Sequence, residues 1–429
     1  MAEIRSLTAA PDGSSRHGAD PIPHAEAVLT PVQGGITAPA GFRAGAVHCG
    51  IKAVQSALDL AVLVSGAPAS AAALFTTNLA QAAPVLISRR HIERTQGMAR
   101  AIVVNSGCAN ACTGAEGVTH ARRMAEQTAV AVGCAPEEVL VASTGVIGVA
   151  LKIERVVAGI QAAALALAPN HGSDAARAIM TTDPFPKEHA VTVRTPRGSF
   201  VVGGMAKGSG MIEPDMATML GFLTTDAKVS PALLRQALQV SARDTFNAIT
   251  VDGECSTNDS LFALASGASG VAIDAALYPA LVEGLLAVSR ELAIGIVRGG
   301  EGATKLIAVT VSDAPNVEAA RRVARTIANS LLVKTAVHGA DPNWGRIVAA
   351  AGRSGVTFDV DRATVLVGGV LLFEKGLPHD ARAPQAAEHL KGSTVRIDVG
   401  LGSGGGAAAT IWGCDLSAEY VRINGEYRT

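Results

Sequence analysis

Apolar residues follow two alternating patterns along the first half of the chain, and this alternation predicts an α/β protein. Short apolar runs at residues 101–104 and 139–142 are typical of buried strands. Each run leads through small, turn-forming residues into a longer segment with helical character, at residues 116–132 and 153–167. Strands and helices that alternate in this way predict sheets covered by helices.

The second half of the chain continues this mixture. We expect a hairpin at residues 190–202, strands at residues 218–225, 261–265 and 307–311, helices at residues 231–247, 274–297 and 317–335, and further strands at residues 364–372, 394–399 and 407–413. A soft boundary near residues 340–355 sets off a smaller C-terminal region.

Two stretches near the start are less regular. Residues 58–64 and 72–77 predict two separate short strands. Residues 81–94 leave helix and strand open, because Pro84 argues against a helix that begins before it.

Composition and charge narrow the classes of function. Residues 1–27 are polar and predict a disordered extension rather than a targeting peptide. The net charge of −1 argues against nucleic acid and membrane surfaces as partners, and no apolar run reaches the ~18 residues that predict a membrane span. Six scattered cysteines are typical of a reduced, cytoplasmic protein without a metal site. Small-molecule substrates are therefore expected.

The stretch from Lys207 to Leu220 carries the candidate chemistry. If the chain were cut between Ala217 and Thr218, one residue would hold both a hydroxyl and a free α-amine. Such an amine has a pKa of about 7.7–8.0 and can take the proton of a hydroxyl nucleophile. A plain buried strand is the alternative interpretation of the same residues.

Two further patterns have a chemical and a structural interpretation each. The turn at Ser143-Thr144-Gly145 ends a predicted strand and can present a hydroxyl and a backbone N–H to one point, as an oxyanion hole requires. A simple turn is the alternative. The glycines of residues 400–405 fit a dinucleotide-binding pattern, but a strand follows them, so a hairpin turn is preferred.

Together these segments resemble the ornithine acetyltransferase family of arginine biosynthesis, also called glutamate N-acetyltransferase. The resemblance extends from about Gly34 to Thr429. It is carried by residues 105–114, 143–148, 207–212, 216–220, 224–226, 256–259, 300–305, 339–346 and 420–429.

The resemblance implies a fold and a processing step. The fold would be α/β, a layered sandwich of β-sheets between α-helices with a smaller C-terminal region, of the self-cleaving type with an N-terminal threonine nucleophile. Cleavage between Ala217 and Thr218 would give an α chain, residues 28–217 after the extension, and a β chain, residues 218–429. Two α and two β chains would form a heterotetramer.

The resemblance also implies a reaction. The acetyl group of N2-acetylornithine would move to Thr218, ornithine would leave, and glutamate would accept the acetyl group. Thr144 and Gly145 match the oxyanion pair of the family. The substrate-binding positions carried over are Thr181, Lys207, Thr218, Glu301, Asn424 and Thr429. No cofactor and no metal are expected, and acetyl-CoA is left open as a co-substrate.

The sequence departs from the family pattern at a few positions. Cys108 stands where asparagine is usual, and Glu213 and Asp215 stand where smaller or neutral residues are common. These changes concern substrate preference and cleavage rate. A self-cleaving aminopeptidase or amidohydrolase of the same fold, in which water is the acceptor, remains the alternative function, and a fold that never cleaves is a second alternative.

Overall fold

The computed structural model describes residues 27–54, 56–213 and 219–426, which form two compact units. In the described chain, the larger unit contains residues 27–307, 337–339 and 412–426, and the smaller unit contains residues 308–336 and 340–411. The units divide at Ile307–Ala308, Ala336–Val337, Gly339–Ala340 and Ile411–Trp412, and the third division lies at the start of the soft boundary expected near residues 340–355. The first and last divisions fall within strands. Except for Ala27, the predicted extension lies outside the described residues.

The strands are β1 (Val28–Pro31), β2 (Phe42–Val47), β3 (Leu60–Phe75), β4 (Met98–Cys108), β5 (Val139–Val146), β6 (Lys187–Thr195), β7 (Gly198–Lys207), β8 (Leu220–Thr225), β9 (Ser260–Ala265), β10 (Leu306–Ala314), β11 (Thr364–Val367), β12 (Val370–Glu374), β13 (Leu377–Pro378), β14 (Thr394–Gly400) and β15 (Ala407–Cys414). The helices are α1 (Ala83–Arg94), α2 (Gly114–Val132), α3 (Ile153–Leu165), α4 (Gly172–Ala178), α5 (Pro231–Arg243), α6 (Tyr278–Arg298), α7 (Val317–Ala328), α8 (Leu331–His338), α9 (Trp344–Gly352), α10 (Ala383–Leu390) and α11 (Ala418–Glu426).

The larger unit is built on a nine-stranded sheet in the order β1-β6-β7-β8-β9-β3-β4-β5, with β2 paired to β3. Strand β3 joins the two halves of this sheet: residues 60–65 pair with β2, and residues 70–75 pair with β9. The two short strands predicted in this region are therefore one long strand. The break in its apolar pattern is an irregularity between Val64 and Ala69, where residues 66–68 are exposed.

The two faces of β3 contribute to different cores. Leu60, Val62 and Val64 pack with buried residues of α1, α2 and α3. The intervening Ala61 and Leu63 share a core with Phe222 of β8 and Phe262 of β9. Since alternate residues of a strand point to opposite faces, one core lies between helices and sheet and the other between the two halves of the sheet. Helices α5 and α6 pack together, and α6 packs against β6 and β7. The predicted layered α/β sandwich is confirmed.

Several predicted boundaries need correction for local reasons. Residues 83–94 form a helix, because Pro84 lies in its first turn, where a missing N–H costs nothing. Residues 317–335 form parts of two helices that separate at Asn329 and Ser330. Residues 364–372 are a hairpin that turns at Gly368 and Gly369, both of which have positive φ.

The smaller unit contains a sheet in the order β13-β12-β11-β14-β10-β15. The glycine-rich residues 400–405 do not form the expected hairpin turn, because β10 lies between β14 and β15. Their connection instead bonds to the end of β10: Leu401 N–H donates to Ser312 O and Ser403 N–H donates to Asp313 O. Trp344 at the start of α9 stacks on Phe373 of β12, with ring centroids 5.0 Å apart.

Replacing Phe262 with alanine should lower the free energy of unfolding by about 3–5 kcal/mol. Its fully buried ring makes edge-to-face contacts with Phe75 and Phe222, at centroid distances of 5.9 and 5.8 Å. Denaturant titration measures the change. Leu79→Ala is the control, since Leu79 is fully exposed and its loss should change stability by less than ~0.5 kcal/mol. Equal effects of the two substitutions would contradict this account of the core.

Candidate active site

A pocket of about 290 Å³ in the larger unit brings together the predicted site residues that the structure describes. These residues come from five separate segments of the chain: Thr144, Gly145, Thr181, Lys207, Glu301 and Asn424 all line it. Residues that are distant in the sequence therefore converge on one cavity.

Three of the predicted residues, Ala217, Thr218 and Thr429, lie outside the described residues, as does Asp215. Ile212 and Met219 are described on either side of residues 214–218, and both line the pocket. The chain thus enters and leaves the candidate cleavage segment at the wall of this cavity.

The turn at Gly145 depends on close contact between two strands. Strand β5 runs parallel to β4, with Ser106 beside Thr144 and Gly107 beside Gly145. Gly145 has a φ of +128°, and a Cβ at this position would lie 2.3 Å from the carbonyl carbon of Gly107. Any larger residue would both strain the backbone and collide with β4, so the turn requires glycine.

Buried amide side chains hold the ends of β4 and β5 in place. Asn105 Nδ2 donates to Cys108 O at 2.9 Å, and Ser143 Oγ donates to Asn105 Oδ1 at 2.6 Å. Asn258, which precedes β9 by two residues, donates from Nδ2 to Ala109 O at 2.6 Å and to Ser143 O at 2.9 Å. The sequence motifs that contain Asn105 and Asn258 do not by themselves indicate a role for either residue, and this bonding gives both a structural one.

Lys207 contacts Thr144 directly. Its Nζ donates to Thr144 Oγ1 at 3.0 Å. A hydroxyl that accepts a hydrogen bond still has its own hydrogen to donate. Thr144 is therefore set up to donate to a third atom, while the ammonium makes the hydroxyl a better donor.

A buried ion pair supports the backbone next to the pocket. Asp183 Oδ1 accepts from Lys187 Nζ at 2.5 Å and from Gly208 N at 2.7 Å, and Oδ2 accepts from Thr181 N at 3.0 Å. Burial raises the pKa of Asp183, but the charges of Lys187 and Lys207 and the Gly208 N–H lower it further, so that its pKa lies below the ordinary range. The Asp183 carboxylate thereby fixes the backbone at Thr181, which lines the pocket, and at Gly208, which follows the pocket residue Lys207.

Glu301 and Asn424 form another part of the pocket wall. Asn424 Nδ2 donates to Glu301 Oε2 at 2.8 Å. The carboxyl group of Glu301 lies against Gly210, where a Cβ would come within 2.4 Å of Oε2. Gly210 therefore leaves room for the carboxylate. Gly302, which follows Glu301, allows the backbone to pack closely against α11, because a Cβ there would lie 2.4 Å from the backbone nitrogen of Tyr420.

The titratable side chains that line the described part of the pocket are mostly acidic, namely Asp252, Glu254, Asp259 and Glu301, and Lys207 is the one cation among them. Asp252 is committed to the backbone, since its carboxylate accepts from Met211 N at 2.7 Å and from Ile212 N at 2.8 Å. A cavity with several carboxylates and one ammonium suits a ligand that carries both charges, such as an amino acid.

Of the unusual residues, Cys108 and Glu213 are described, and neither is among the described residues that line the pocket. Cys108 is buried, its Sγ lies 3.3 Å from Val149 O, and burial raises the pKa of its thiol. Glu213 Oε2 accepts from Thr250 Oγ1 at 3.0 Å.

In the described parts of the chain, no three histidine, cysteine or acidic side chains come together as metal ligands would. None of the described helices has the length and apolar character needed to cross a bilayer.

Residues 43–429 match the sequence model of the ArgJ family. The chain belongs to the ArgJ family. The arginine biosynthesis bifunctional protein ArgJ of Symbiobacterium thermophilum is 49% identical over 400 residues, which cover 92% of this chain and 99% of that protein. The protein of the same name from Chlorobium chlorochromatii is 51% identical over 395 residues, 91% of each chain. The crystal structure of ornithine acetyltransferase complexed with ornithine from Mycobacterium tuberculosis is 41% identical, covers 44% of this chain and 100% of that chain, and has a TM-score of 0.41.

In this ArgJ family member, Asp183→Asn should cost about 3–5 kcal/mol of stability near neutral pH, because it leaves the buried Lys187 ammonium without its counter-charge. Asp174→Asn is the control: Asp174 pairs with Arg177 at the surface, and the loss should be under ~1 kcal/mol.

The difference in the free energy of unfolding between wild type and Asp183→Asn should become smaller at acidic pH. The pKa of Asp183 is lowered in the folded state. Its stabilisation is therefore present above the unfolded value of about 3.9 and is lost as the pH falls through the lower folded pKa. Denaturant titrations at several pH values measure this, and a difference that grows below pH ~4 would contradict the assignment.

Proposed function

We propose that this chain transfers the acetyl group of N2-acetylornithine to glutamate through an acetyl ester on Thr218. The observation that carries the proposal is the convergence of Thr144, Gly145, Thr181, Lys207, Glu301 and Asn424 on one pocket, whose wall includes Ile212 and Met219. The relatives' shared name, arginine biosynthesis bifunctional protein, supports it.

The nucleophile is made by self-cleavage between Ala217 and Thr218. The freed α-amine of Thr218, with a pKa near 7.7–8.0, takes the proton of the Thr218 hydroxyl as that oxygen attacks the acetyl carbonyl. The same amine then gives the proton to the departing amine of ornithine. Glutamate enters the emptied pocket, and its amine takes the acetyl group by the reverse steps.

Thr144 and Gly145 stabilise the oxyanion that forms at each attack. The Thr144 hydroxyl accepts from Lys207 at 3.0 Å and so has its hydrogen available for the oxyanion. The N–H of Gly145 is the second donor, on a turn held rigid against Gly107. Donors fixed before the reaction stabilise developing charge at little cost in reorganisation.

The charges of the pocket orient the amino-acid substrates. Lys207 offers an ammonium for a substrate carboxylate, and Glu301, held by Asn424, offers a carboxylate for a substrate ammonium. Thr181 and Thr429 complete the substrate contacts. No metal or cofactor takes part in this scheme.

The wider organisation of the enzyme is also part of the proposal. Two α and two β chains form a cytoplasmic heterotetramer. The word bifunctional in the relatives' name supports a second activity, the acetylation of glutamate by acetyl-CoA. Replacing N2-acetylornithine with acetyl-CoA in the assay below tests that activity directly.

The first test measures ornithine release from N2-acetylornithine with and without glutamate, and the mass of the purified chains. We expect two chains smaller than 43.4 kDa and release that depends on glutamate. Thr218→Ala is the control variant, expected to stay uncleaved and inactive because one hydroxyl serves both reactions. Release that does not need glutamate would support the amidohydrolase instead, and normal cleavage of the variant would overturn the proposal.

A second test concerns the oxyanion donor. Thr144→Ala should lower kcat by about 10²–10³-fold and leave KM within a few-fold, because the lost bond forms mainly in the transition state. Thr144→Ser keeps the hydroxyl and should recover most of the rate. Steady-state kinetics with varied N2-acetylornithine measures both constants. A large rise in KM at unchanged kcat would assign Thr144 to substrate binding.

A further inference from the structure

Self-cleavage poses a proton-transfer problem that the mature nucleophile does not solve. This inference rests on the proposed cleavage at Ala217–Thr218. Before the bond breaks, the nitrogen of Thr218 is an amide and has no basic lone pair, so it cannot take the hydroxyl proton. The same nitrogen must also gain a proton in order to leave as an amine. A neighbouring group that can both give and take a proton would solve both parts of this problem.

Most titratable side chains of the described pocket wall are already engaged. Asp252 accepts two backbone N–H groups, Glu301 accepts from Asn424, and Lys207 donates to Thr144. Glu254 is exposed to solvent. Asp259 differs from these four, because it is 2% exposed and its Oδ2 has no hydrogen-bond partner among the described residues.

The strand register sets Asp259 beside Met219, the first described residue after the candidate cleavage segment. Strands β8 and β9 are parallel, with Leu220 beside Ser260, and Ser260 N donates to Met219 O at 3.1 Å. One step back along both strands, Asp259 lies alongside Met219, the residue that follows Thr218. Asp259 and Met219 also line the same pocket.

The backbone around Asp259 is held on both sides. Thr76 N donates to Asp259 O at 3.0 Å, and Asn258 is bonded to Ala109 and Ser143 through its side chain. The carboxyl group is thus carried by a segment that other strands fix, which favours a defined geometry for proton transfer.

The environment of Asp259 favours its uncharged form. Burial raises the pKa of Asp259 well above its ordinary value, against smaller lowering effects from Ser256, the Lys207 charge and the Met219 N–H. A carboxyl group that keeps its proton can donate it, which an ionised aspartate cannot do.

We propose that Asp259 is the proton carrier of self-cleavage. As the Thr218 hydroxyl oxygen attacks the Ala217 carbonyl carbon and the C–N bond breaks, the Asp259 carboxyl gives its proton to the Thr218 nitrogen. The resulting carboxylate takes the proton of the Thr218 hydroxyl. The net change moves one proton from oxygen to nitrogen and leaves an ester between Ala217 and Thr218, which water then hydrolyses. The acid is restored in its original form.

The test follows cleavage of the full chain after synthesis in a cell-free system, with time points resolved on a denaturing gel. Asp259→Asn keeps the size of the side chain but has no acidic proton, so cleavage should slow by at least ~100-fold, the lower end of a general acid–base contribution. Asp259→Glu keeps the acid and should cleave faster than Asp259→Asn. Asp398→Asn is the matched control, because burial also raises the pKa of Asp398, which belongs to the smaller unit.

The outcomes separate this inference from the proposed function. If the wild-type chain itself stays whole, the proposed function fails. If wild type cleaves and Asp259→Asn cleaves at the same rate, only the role of Asp259 is overturned. Thermal unfolding of the uncleaved variant should show a cooperative transition like that of uncleaved Thr218→Ala.

A pH profile of the wild-type chain decides the matter if Asp259→Asn does not fold. Cleavage should slow as the pH rises and the Asp259 carboxyl loses its proton. Lys207, Asp252, Glu254 and Glu301 are the other titratable groups of the described pocket wall, and Lys207 is the one whose charge acts on Asp259. A rate that is flat or rises with pH would overturn the inference, since hydroxide-assisted cleavage gains rate in base.

Discussion

The shape of the pocket depends on the hydrogen bonds and the ion pair that the buried carboxylate of Asp183 makes. Its two oxygens bond to the backbone at Thr181 and at Gly208, and Lys187 balances its charge. Because Lys207 directly precedes Gly208, the same carboxylate constrains the lysine that reaches Thr144. Burial alone would neutralise such a group, and two nearby ammonium groups reverse that tendency. The ion pair thus stabilises a fixed arrangement of charged and polar groups around a small cavity.

Close contacts between small residues complete this arrangement. Gly107 and Gly145 allow two parallel strands to end against each other, and Gly210 leaves space for the carboxylate of Glu301. Thr144 directly precedes Gly145 in the chain. The carboxylate of Glu301 lies against Gly210. The abundance of glycine around the candidate site therefore reflects packing at particular points rather than general flexibility.

The sequence predicted the structure well where a pattern of residues has a single physical interpretation. Alternating strands and helices predicted the layered α/β architecture, and long motifs identified six described residues that do share a pocket. It was less informative where a local signal has two outcomes. Pro84 can end or begin a helix, the irregular middle of β3 looks like a break between strands, and residues 400–405 fit several kinds of turn. These outcomes are decided by neighbours distant in sequence, which a local pattern does not contain.

The same limit applies to the supporting residues of the site. Asn258 and Asp259 belong to a motif that the sequence made visible, but their roles depend on which backbone atoms they meet. Asn258 reaches two carbonyl groups on other segments, and Asp259 meets none with Oδ2 among the described residues. Satisfied and unsatisfied polar groups look alike in sequence and become distinct only after folding.

The order of strands in the large sheet has a consequence for the two products of a cut after residue 217. Strand β7 would belong to one product and β8 to the other, yet they are hydrogen-bonded neighbours, and β9 pairs with β3 across the same divide. The products would therefore be interwoven through a continuous ladder of backbone bonds. The two products could exchange with those of another molecule only if the sheet first unfolded. Each nucleophile would therefore remain in the pocket in which cleavage produced it.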